Sequence, residues 1–381
     1  MRHQSKRYVV SFITLLLMVI LAGCANPINS HTKHEYESRG SEWEHQGDYK
    51  EVDDCYRRAL INAKGSNLGP AEESQAMYNF ARMTGYLGNF EEAERLLLES
   101  LALEKKATGT TSQTSCMRYF ELARLQFDQH NFEKAATYYE KAIAIADASD
   151  TERKRPVALA AELDKYALSL SRISQDDRAR VVQARADKLR SDNPGKKPEW
   201  EPTHYNVTYA SLCRQNGDWE KAFELLEKAL ANVEAIDSTA GSEGRAYICY
   251  EYGRAAGVTC RFDSAHQYLK EAYEINVQNS GHTYMDLVEL ARLQYDQHYY
   301  DQANTYFVQA IAAIEEKNMT SRDPLGFAEV LDEYSNSLIM VKQLSEADAM
   351  QKKAAEIRNA NPQGKSKIER TPYGRYCQQP S

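Results

Sequence analysis

Apolar residues recur at helical spacing through most of the chain, in pairs of segments separated by short polar breaks. The clearest pair is Glu121–Ile143 (ELARLQFDQHNFEKAATYYEKAI), which is interrupted at His130. This pattern predicts two amphipathic helices joined by a tight turn. Glu289–Ile311 repeats the pair with 14 of 23 positions identical, and His298 takes the place of His130. Histidine tolerates the left-handed backbone that such turns often need, so both histidines are interpreted as turn residues.

Weaker copies of this pair recur at intervals of roughly 42 residues, which is typical of a fold built by repetition. The predicted hairpins are His34–Lys64, Pro70–Lys106, Thr114–Ala148, Pro156–Arg190, Thr203–Ile236, Glu243–Val277, Thr283–Lys317 and Pro324–Asn359. Pro156 and Pro324 occupy corresponding places in the two halves of this series, each at a position suited to a first helical turn. The sequence therefore predicts a duplicated unit of four hairpins.

Segments rich in proline and charge divide the chain further. The run SDNPGKKPEWEP at 191–202 predicts a seam between the two copies. The predicted organisation is a leader at 1–23, a polar tether at 24–33, repeat blocks at 34–197 and 198–361, and a tail at 362–381. The tail resembles the start of a further unit that is not completed, and Tyr373, Tyr376 and Cys377 favour packing over disorder.

Each copy carries a small residue, a turn, an aromatic residue and then alanines, as in NFEEAERLLLESL (89–101) and GDWEKAFELLEKAL (217–230). This pattern resembles the tetratricopeptide repeat, and the family's most restricted alanine matches Ala93, Ala135, Ala222 and Ala303. The long period is most similar to the variant found in kinesin light chains. HEAT repeats have a similar period but lack the turn-aromatic-x-x-Ala core. The resemblance implies an all-α, right-handed α-solenoid of helical hairpins, whose first helices line a concave groove.

Residues 1–24 are typical of a secretory signal, with a basic start and an apolar run at 9–23. This run is short for a membrane-spanning helix. Leu21-Ala22-Gly23-Cys24 resembles the bacterial lipobox, which implies cleavage before Cys24 and acylation (palmitate or a similar chain) at that residue. Ala25 in place of aspartate favours the outer membrane, facing the periplasm. The alternative is a short transmembrane anchor with a chance cysteine.

Charge and motif content narrow the function classes. The net charge is −8, without a basic cluster, which argues against nucleic acid as the main partner. No HExxH, GxSxG, P-loop or CxxC motif occurs. We therefore expect no enzyme activity, catalytic residue, cofactor or metal site.

Six cysteines remain besides Cys24, and none has metal-type spacing. Most lie on predicted apolar helix faces, which favours buried free thiols. Pairing of some of them in an oxidising compartment is the alternative. The six are Cys55, Cys116, Cys213, Cys249, Cys260 and Cys377.

Aligning the repeats places four arginines at one equivalent position, with an aromatic residue four residues earlier in three of them. Residues at i and i+4 share a helix face, so this pattern predicts an aromatic-and-arginine stripe. The stripe comprises Tyr78, Arg82, Phe120, Arg124, Tyr250, Arg254 and Arg292. Arginine suits carboxylates and aromatics give rigid contact area, which resembles peptide binding by members of the family. The alternative is exposed pairing with glutamates three residues earlier, at Glu121, Glu251 and Glu289.

Together these features predict an extracytoplasmic, lipid-anchored scaffold that binds protein or peptide partners through its groove. A cell-wall or carbohydrate-binding structural lipoprotein is the alternative, since tyrosines and the tryptophans Trp43, Trp200 and Trp219 could stack on sugars. An enzyme with an unrecognised site is a third class.

Overall fold

The structure, a computed structural model, describes residues 27–46, 48–196, 204–236, 242–366 and 369–377. The leader and Cys24 lie outside the described residues. Within these ranges every regular element is a helix and no strand occurs. Consecutive long helices pack against one another as helical hairpins within residues 27–191 and within residues 219–360. The predicted all-α fold class, a solenoid of helical hairpins, is confirmed.

The chain divides into two compact units, residues 1–208 and 209–381. The helices of unit 1 are α1 (Pro27–Gln46), α2 (Tyr49–Gly65), α3 (Pro70–Tyr86), α4 (Phe90–Thr108), α5 (Gln113–Asp128), α6 (Phe132–Asp147), α7 (Thr151–Lys154), α8 (Pro156–Arg172) and α9 (Asp176–Ser191). The unit boundary falls within α10 (Tyr205–Gln215). The helices of unit 2 are α11 (Trp219–Glu234), α12 (Glu243–Val258), α13 (Phe262–Gln278), α14 (Thr283–Asp296), α15 (Tyr300–Glu316), α16 (Met319–Arg322), α17 (Pro324–Met340) and α18 (Leu344–Ala360).

The first helix begins earlier than its sequence suggests. A tether is predicted up to residue 33, whereas α1 already starts at Pro27. Lys33 explains the difference, because its ammonium is buried and lies 2.9 Å from the Glu37 carboxylate and 2.7 Å from that of Glu72 on α3. This pairing fixes the start of α1 against the next hairpin.

The hairpin turns from Gly88 to Lys342 share one backbone geometry. At the turn of the α5–α6 hairpin, His130 has φ +61°, and the N–H of Asn131 donates to the carbonyl of Gln126 at 2.9 Å. This six-residue bond with a left-handed residue is the Schellman arrangement for ending a helix. His298 has φ +67° in the α14–α15 turn, so the interpretation of both histidines as turn residues is confirmed. Left-handed residues occupy the equivalent turns at Gly88, Ser174, Gly217, Cys260 and Lys342.

Alanines allow the two helices of each hairpin to approach closely. Ala93, Ala135, Ala222 and Ala303 are all completely buried, as the repeat pattern predicts. In unit 2, Phe307 belongs to the same buried cluster as Ala303 and lies 5.7 Å from the ring of Tyr334, measured between centroids. In this part of unit 2 the core therefore joins the helices of two adjacent hairpins.

The cysteine expectation holds for four residues and is wrong for two. Cys55, Cys116, Cys213 and Cys249 are buried free thiols. Cys260 and Cys377 instead form a disulfide across a sequence separation of 117 residues. Sequence spacing could not reveal this pair, because the tail must first fold back onto unit 2 to bring the two residues together.

No helix in the described ranges combines the length and the apolar character needed to cross a bilayer.

Candidate functional site

In unit 1, the first helices of the hairpins form a face that holds the side chain of Tyr205. Tyr205 opens α10 and is completely buried, and its hydroxyl donates to Glu121 Oε1 on α5 at 2.6 Å. Gly85 on α3 leaves room for the ring, since a Cβ there would lie 2.4 Å from Tyr205 Cε1. The backbone N–H of Tyr205 donates to the Asp128 carboxylate at 2.6 Å. We call this arrangement the Tyr205 site.

Unit 2 holds a tyrosine in the same way, and we call this arrangement the Tyr373 site. The tyrosine belongs to residues 369–377, a segment without regular helix that we call the strap. Tyr373 is 6% exposed, and its hydroxyl donates to Glu289 Oε2 on α14 at 2.7 Å. A Cβ on Gly257 of α12 would lie 2.4 Å from the Tyr373 ring. Two residues before the tyrosine, the Thr371 hydroxyl accepts a hydrogen bond from Arg254 Nε at 2.8 Å.

The two sites correspond across the internal duplication. The offset that relates Glu121 to Glu289 in the repeated pair also relates Tyr205 to Tyr373. The two glycines that clear space for the rings lie on equivalent helices, α3 and α12. The duplication has therefore preserved a binding arrangement as well as the hairpin fold.

Electrostatics keep the glutamate of the Tyr205 site ionised. Burial alone would raise the pKa of Glu121, but the positive charges of Arg124 and Arg82 outweigh burial and hold this pKa below its ordinary value. Burial and the nearby carboxylate together raise the pKa of Tyr205 well above its ordinary value. The tyrosine hydroxyl is therefore protonated and donates to a carboxylate, which makes the hydrogen bond a strong, charge-assisted one.

The Tyr373 site has the same balance. Arg254 and Arg292 hold the pKa of Glu289 below its ordinary value against the opposing effect of burial. Burial and Glu289 raise the pKa of Tyr373 well above its ordinary value. Both sites thus pair a neutral phenol with a buried carboxylate between two guanidinium groups.

The structure places the predicted stripe on these faces, and all four of its arginines already have partners within the chain. Arg124 is 6% exposed, and its guanidinium lies 2.6 Å from Glu162 and 3.0 Å from Glu121. Arg292 is 1% exposed and lies 2.7 Å from Glu333. These two charges are satisfied by other helices of the same unit.

The aromatic stripe residues are also buried. The Tyr78 hydroxyl donates to Glu121 Oε2 at 3.1 Å, so this residue is a wall of the Tyr205 site. Tyr250 stacks under Arg254, with the guanidinium carbon 5.3 Å from the ring centroid. Phe120 is 2% exposed and belongs to the hydrophobic core. The stripe therefore supports the tyrosine sites in this conformation, and partner binding by it stays a prediction.

Arg82 is the most exposed stripe arginine, with 21% of its side chain accessible. It donates to Glu44 Oε1 at 2.7 Å and to the Tyr86 hydroxyl at 3.1 Å. The alternative interpretation of the stripe, exposed pairs within one helix, is right about the pairs and wrong about their exposure. The pairs are Arg124–Glu121 at 3.0 Å, Arg254–Glu251 at 3.1 Å and Arg292–Glu289 at 2.8 Å, all buried.

Other candidate chemistry finds little support among the described residues. They contain no group of three or more His, Cys, Asp or Glu side chains placed to hold a metal ion. Burial raises the pKa of each free thiol, which disfavours the reactive thiolate form. Of the tryptophans, Trp219 is 4% exposed and Trp43 is partly exposed, whereas Trp200 lies outside the described residues.

Sequence reasoning expected Tyr373 to pack but assigned neither it nor Tyr205 to a site, and it missed the glycines beneath the two rings. A signal was present, because EPTHY at 201–205 and ERTPY at 369–373 share their glutamate, threonine and tyrosine at corresponding places in the two copies. The first segment lies at the start of a predicted hairpin and the second lies in the tail, so an alignment based on hydrophobic periodicity does not pair them.

Residues 72–148, which span most of α3 to α6, match the family described as tetratricopeptide repeat. The expectation of tetratricopeptide repeats is thereby confirmed for this stretch. Among curated proteins, none matches the sequence significantly.

Three solved structures illustrate the similarity to other repeat proteins. BtubC (BKLC) from P. vanneervenii is 18% identical, covers 63% of this chain and 95% of its own, and has a TM-score of 0.40. A putative kinesin light chain of Podosopora anserina with TPR-like repeats is 19% identical, with coverages of 52% and 93% and a TM-score of 0.37. YrrB, described as a TPR protein with an unusual peptide-binding site, is 19% identical, with coverages of 59% and 94% and a TM-score of 0.32.

A buried carboxyl beside the Tyr373 site makes stability depend on pH. Asp286 lies one turn before Glu289 on α14, is 1% exposed and accepts a hydrogen bond from the Asn276 side-chain amide at 2.7 Å. Burial raises the pKa of Asp286 to about 7, and the charge of Glu289 acts in the same direction. A raised carboxyl pKa means that the folded state holds the proton more tightly. The protonated Asp286 carboxyl therefore stabilises the folded state relative to its ionised form. This contribution is complete below the ordinary carboxyl pKa and is lost as the pH rises through 7.

We predict that Asp286→Asn removes this loss, because an amide does not titrate and its oxygen can still accept from Asn276. In the wild type, this one group lowers the free energy of unfolding by roughly 1.4 kcal/mol per pH unit between about pH 4 and pH 7. Urea unfolding at a series of pH values measures the effect. The exposed carboxyl of Asp263 on α13 provides the control, since Asp263→Asn should leave the wild-type profile unchanged. Parallel profiles for the wild type and Asp286→Asn would contradict the assignment.

Proposed function

We propose that the protein is a lipid-anchored scaffold of the bacterial cell envelope that binds protein or peptide partners through its first-helix faces. The lipid is attached to Cys24, and the location is the outer membrane, on the side facing the periplasm. The partner-binding residues are those of the stripe: Tyr78, Arg82, Phe120, Arg124, Tyr250, Arg254 and Arg292.

One observation supports peptide binding above the others: each first-helix face already holds a short segment of polypeptide. The Tyr373 site binds the strap through a phenol, a hydroxyl and backbone groups, all of which a partner chain also carries. The tetratricopeptide repeat match over 72–148 supports the same class of function.

Anchoring is supported by the leader sequence alone. The run Leu21-Ala22-Gly23-Cys24 supplies the small residues and the thiol that lipid attachment requires. Several acyl chains hold a protein on a membrane much more firmly than one. The rest of the chain would then be displayed at the membrane surface.

A cell-wall or carbohydrate-binding structural lipoprotein is the alternative. Sugar stacking needs exposed aromatic faces, and Trp219 is buried, so tyrosines and Trp43 would have to provide them. The peptide interpretation is favoured because both tyrosine sites hold polypeptide.

We predict that Cys24→Ser abolishes acylation, since serine lacks the sulfur nucleophile. Cells fed a labelled fatty acid should incorporate it into the wild-type protein and not into the variant, which should accumulate at the size of the uncleaved precursor. Cys55→Ser, which alters a buried thiol, is the matched control and should label as the wild type does. Continued labelling of Cys24→Ser would refute the anchor.

We predict that a photo-reactive amino acid at position 82 forms adducts with envelope proteins in intact cells. Position 82 is chosen because Arg82 is the most accessible stripe arginine, so a probe at this position is the best placed to reach a partner. The control position is Val181 on α9, which is 71% exposed and outside the stripe. Adduct yield is measured by mass spectrometry after tagged purification and should be several-fold higher at position 82.

Equal yields at the two positions would contradict partner binding by the stripe. Adducts that resolve only after digestion of the cell wall with a muramidase would favour the carbohydrate-binding alternative.

A further inference from the structure

We propose that the Tyr373 site is an exchangeable peptide-binding site that recognises the pattern Glu-x-Thr-x-Tyr, and that the strap is the ligand it holds in this structure. The partner is a protein that presents such a segment to the site. This inference rests on the proposed function, because it specifies the chemistry of the partner.

The recognised pattern follows from comparing the two segments that end in the site tyrosines. EPTHY (201–205) and ERTPY (369–373) share only glutamate, threonine and tyrosine. The two tyrosines differ in backbone structure, because Tyr205 is the first residue of a helix whereas Tyr373 lies in a non-helical segment. Both tyrosines nevertheless donate to the equivalent glutamate. Glutamate, threonine and tyrosine are therefore the residues that the two segments have in common, and in the strap each of them contacts unit 2.

Each shared residue of the strap has a partner on unit 2. The Glu369 carboxylate forms an ion pair with Arg214, and its backbone carbonyl accepts from Arg292 Nη1 at 3.2 Å. Two residues later, the Thr371 hydroxyl accepts from Arg254 Nε. Three arginines therefore contact the strap on the N-terminal side of its tyrosine.

The site requires a hydroxyl donor at its centre. Glu289 is 2% exposed, and the adjacent arginines keep it ionised. A buried carboxylate that loses a hydrogen-bond donor is left partly unsatisfied, which is costly. Gly257 leaves the space for a ring, and its carbonyl accepts from the N–H of Gly374 at 3.1 Å, a bond that any peptide backbone could make. Tyrosine supplies both the hydroxyl donor for Glu289 and the ring that fills the space beside Gly257, whereas phenylalanine supplies only the ring.

Apart from the polypeptide backbone, the disulfide is the only covalent bond among the described residues that joins the strap to the rest of unit 2. Cys260, its anchor on unit 2, has φ +70°, a conformation in which a side chain is disfavoured. The corresponding turn residue in unit 1 is Gly88, with φ +87°. Cys260 shares this left-handed conformation with the residues at the other described hairpin turns, and its sulfur is bonded to Cys377. Without that bond, the strap is held by contacts that a peptide in trans can reproduce.

The exchange is tested with a fluorescein-labelled peptide that has the sequence of residues 369–376. The receptor is the full chain carrying Cys260→Gly, Cys377→Ser and Tyr373→Ala, which removes the disulfide and empties the site while leaving its walls intact. Glycine suits the left-handed backbone at 260, as in unit 1. Fluorescence anisotropy should show saturable binding to this variant and none to the disulfide-bonded wild type. A matched peptide with phenylalanine in place of tyrosine should bind on the order of tenfold more weakly.

A folded variant, judged by circular dichroism, that binds neither peptide or binds both equally would overturn the proposal. If that variant does not fold, the chain with Cys260→Gly and Cys377→Ser alone is used. Saturating peptide should then raise the amide hydrogen exchange of residues 369–377, and unchanged exchange would overturn the proposal. A dimer of this chain that the peptide fails to dissociate would assign the site to a second copy instead. If the labelled peptide does not bind but the photo-reactive residue at position 82 still forms adducts in cells, this inference is refuted and the proposed scaffold function is not.

Discussion

A buried hydrogen bond from a tyrosine hydroxyl to a glutamate carboxylate organises the first-helix face of each unit. The carboxylates of Glu121 and Glu289 are buried, and an uncompensated buried charge would be strongly unfavourable. Two arginines compensate each one, and one arginine of each pair in turn contacts an acid on the next hairpin. Arg124 reaches Glu162 on α8, and Arg292 reaches Glu333 on α17. The polar network therefore joins first helices across successive hairpins, in addition to the apolar packing between neighbours on which repeat proteins depend.

The same constraint links the fold to the proposed function. A face that must supply a buried carboxylate with a hydroxyl donor will bind a segment that carries one, whether from its own chain or from another. Unit 1 meets this need with Tyr205 at the start of α10, and unit 2 meets it with the strap. Tyr205 is part of a helix, whereas Tyr373 lies in a non-helical strap that a disulfide holds in place. Once the disulfide is broken, the strap should therefore leave its site more readily than Tyr205 leaves the equivalent site.

Local rules explain which parts of the fold the sequence could predict. Helices, turns and their order follow from apolar periodicity and from residues such as His130 and Ala135, whose constraints act within one hairpin. The start of α1 is different, because it depends on Lys33 meeting Glu72 on a later helix. The Tyr205 and Tyr373 sites were harder still to predict from the sequence. Alignment of the repeats found their arginines, but Tyr205 and Tyr373, which contact the buried glutamates, each lie 84 residues after the glutamate in sequence. No local pattern encodes contacts over that distance.

A double-mutant cycle on Tyr373→Phe and Glu289→Gln, measured by urea unfolding, tests most directly whether the buried tyrosine–glutamate bond stabilises this face. The predicted coupling energy is about 1.5–3 kcal/mol, the range for a buried hydrogen bond to a charged group. The matched control is the surface bond from the Tyr268 hydroxyl to Glu234 at 2.8 Å, for which Tyr268→Phe and Glu234→Gln should couple by less than about 1 kcal/mol. A coupling at the Tyr373 pair no larger than that of the surface pair would contradict the central role assigned to this bond.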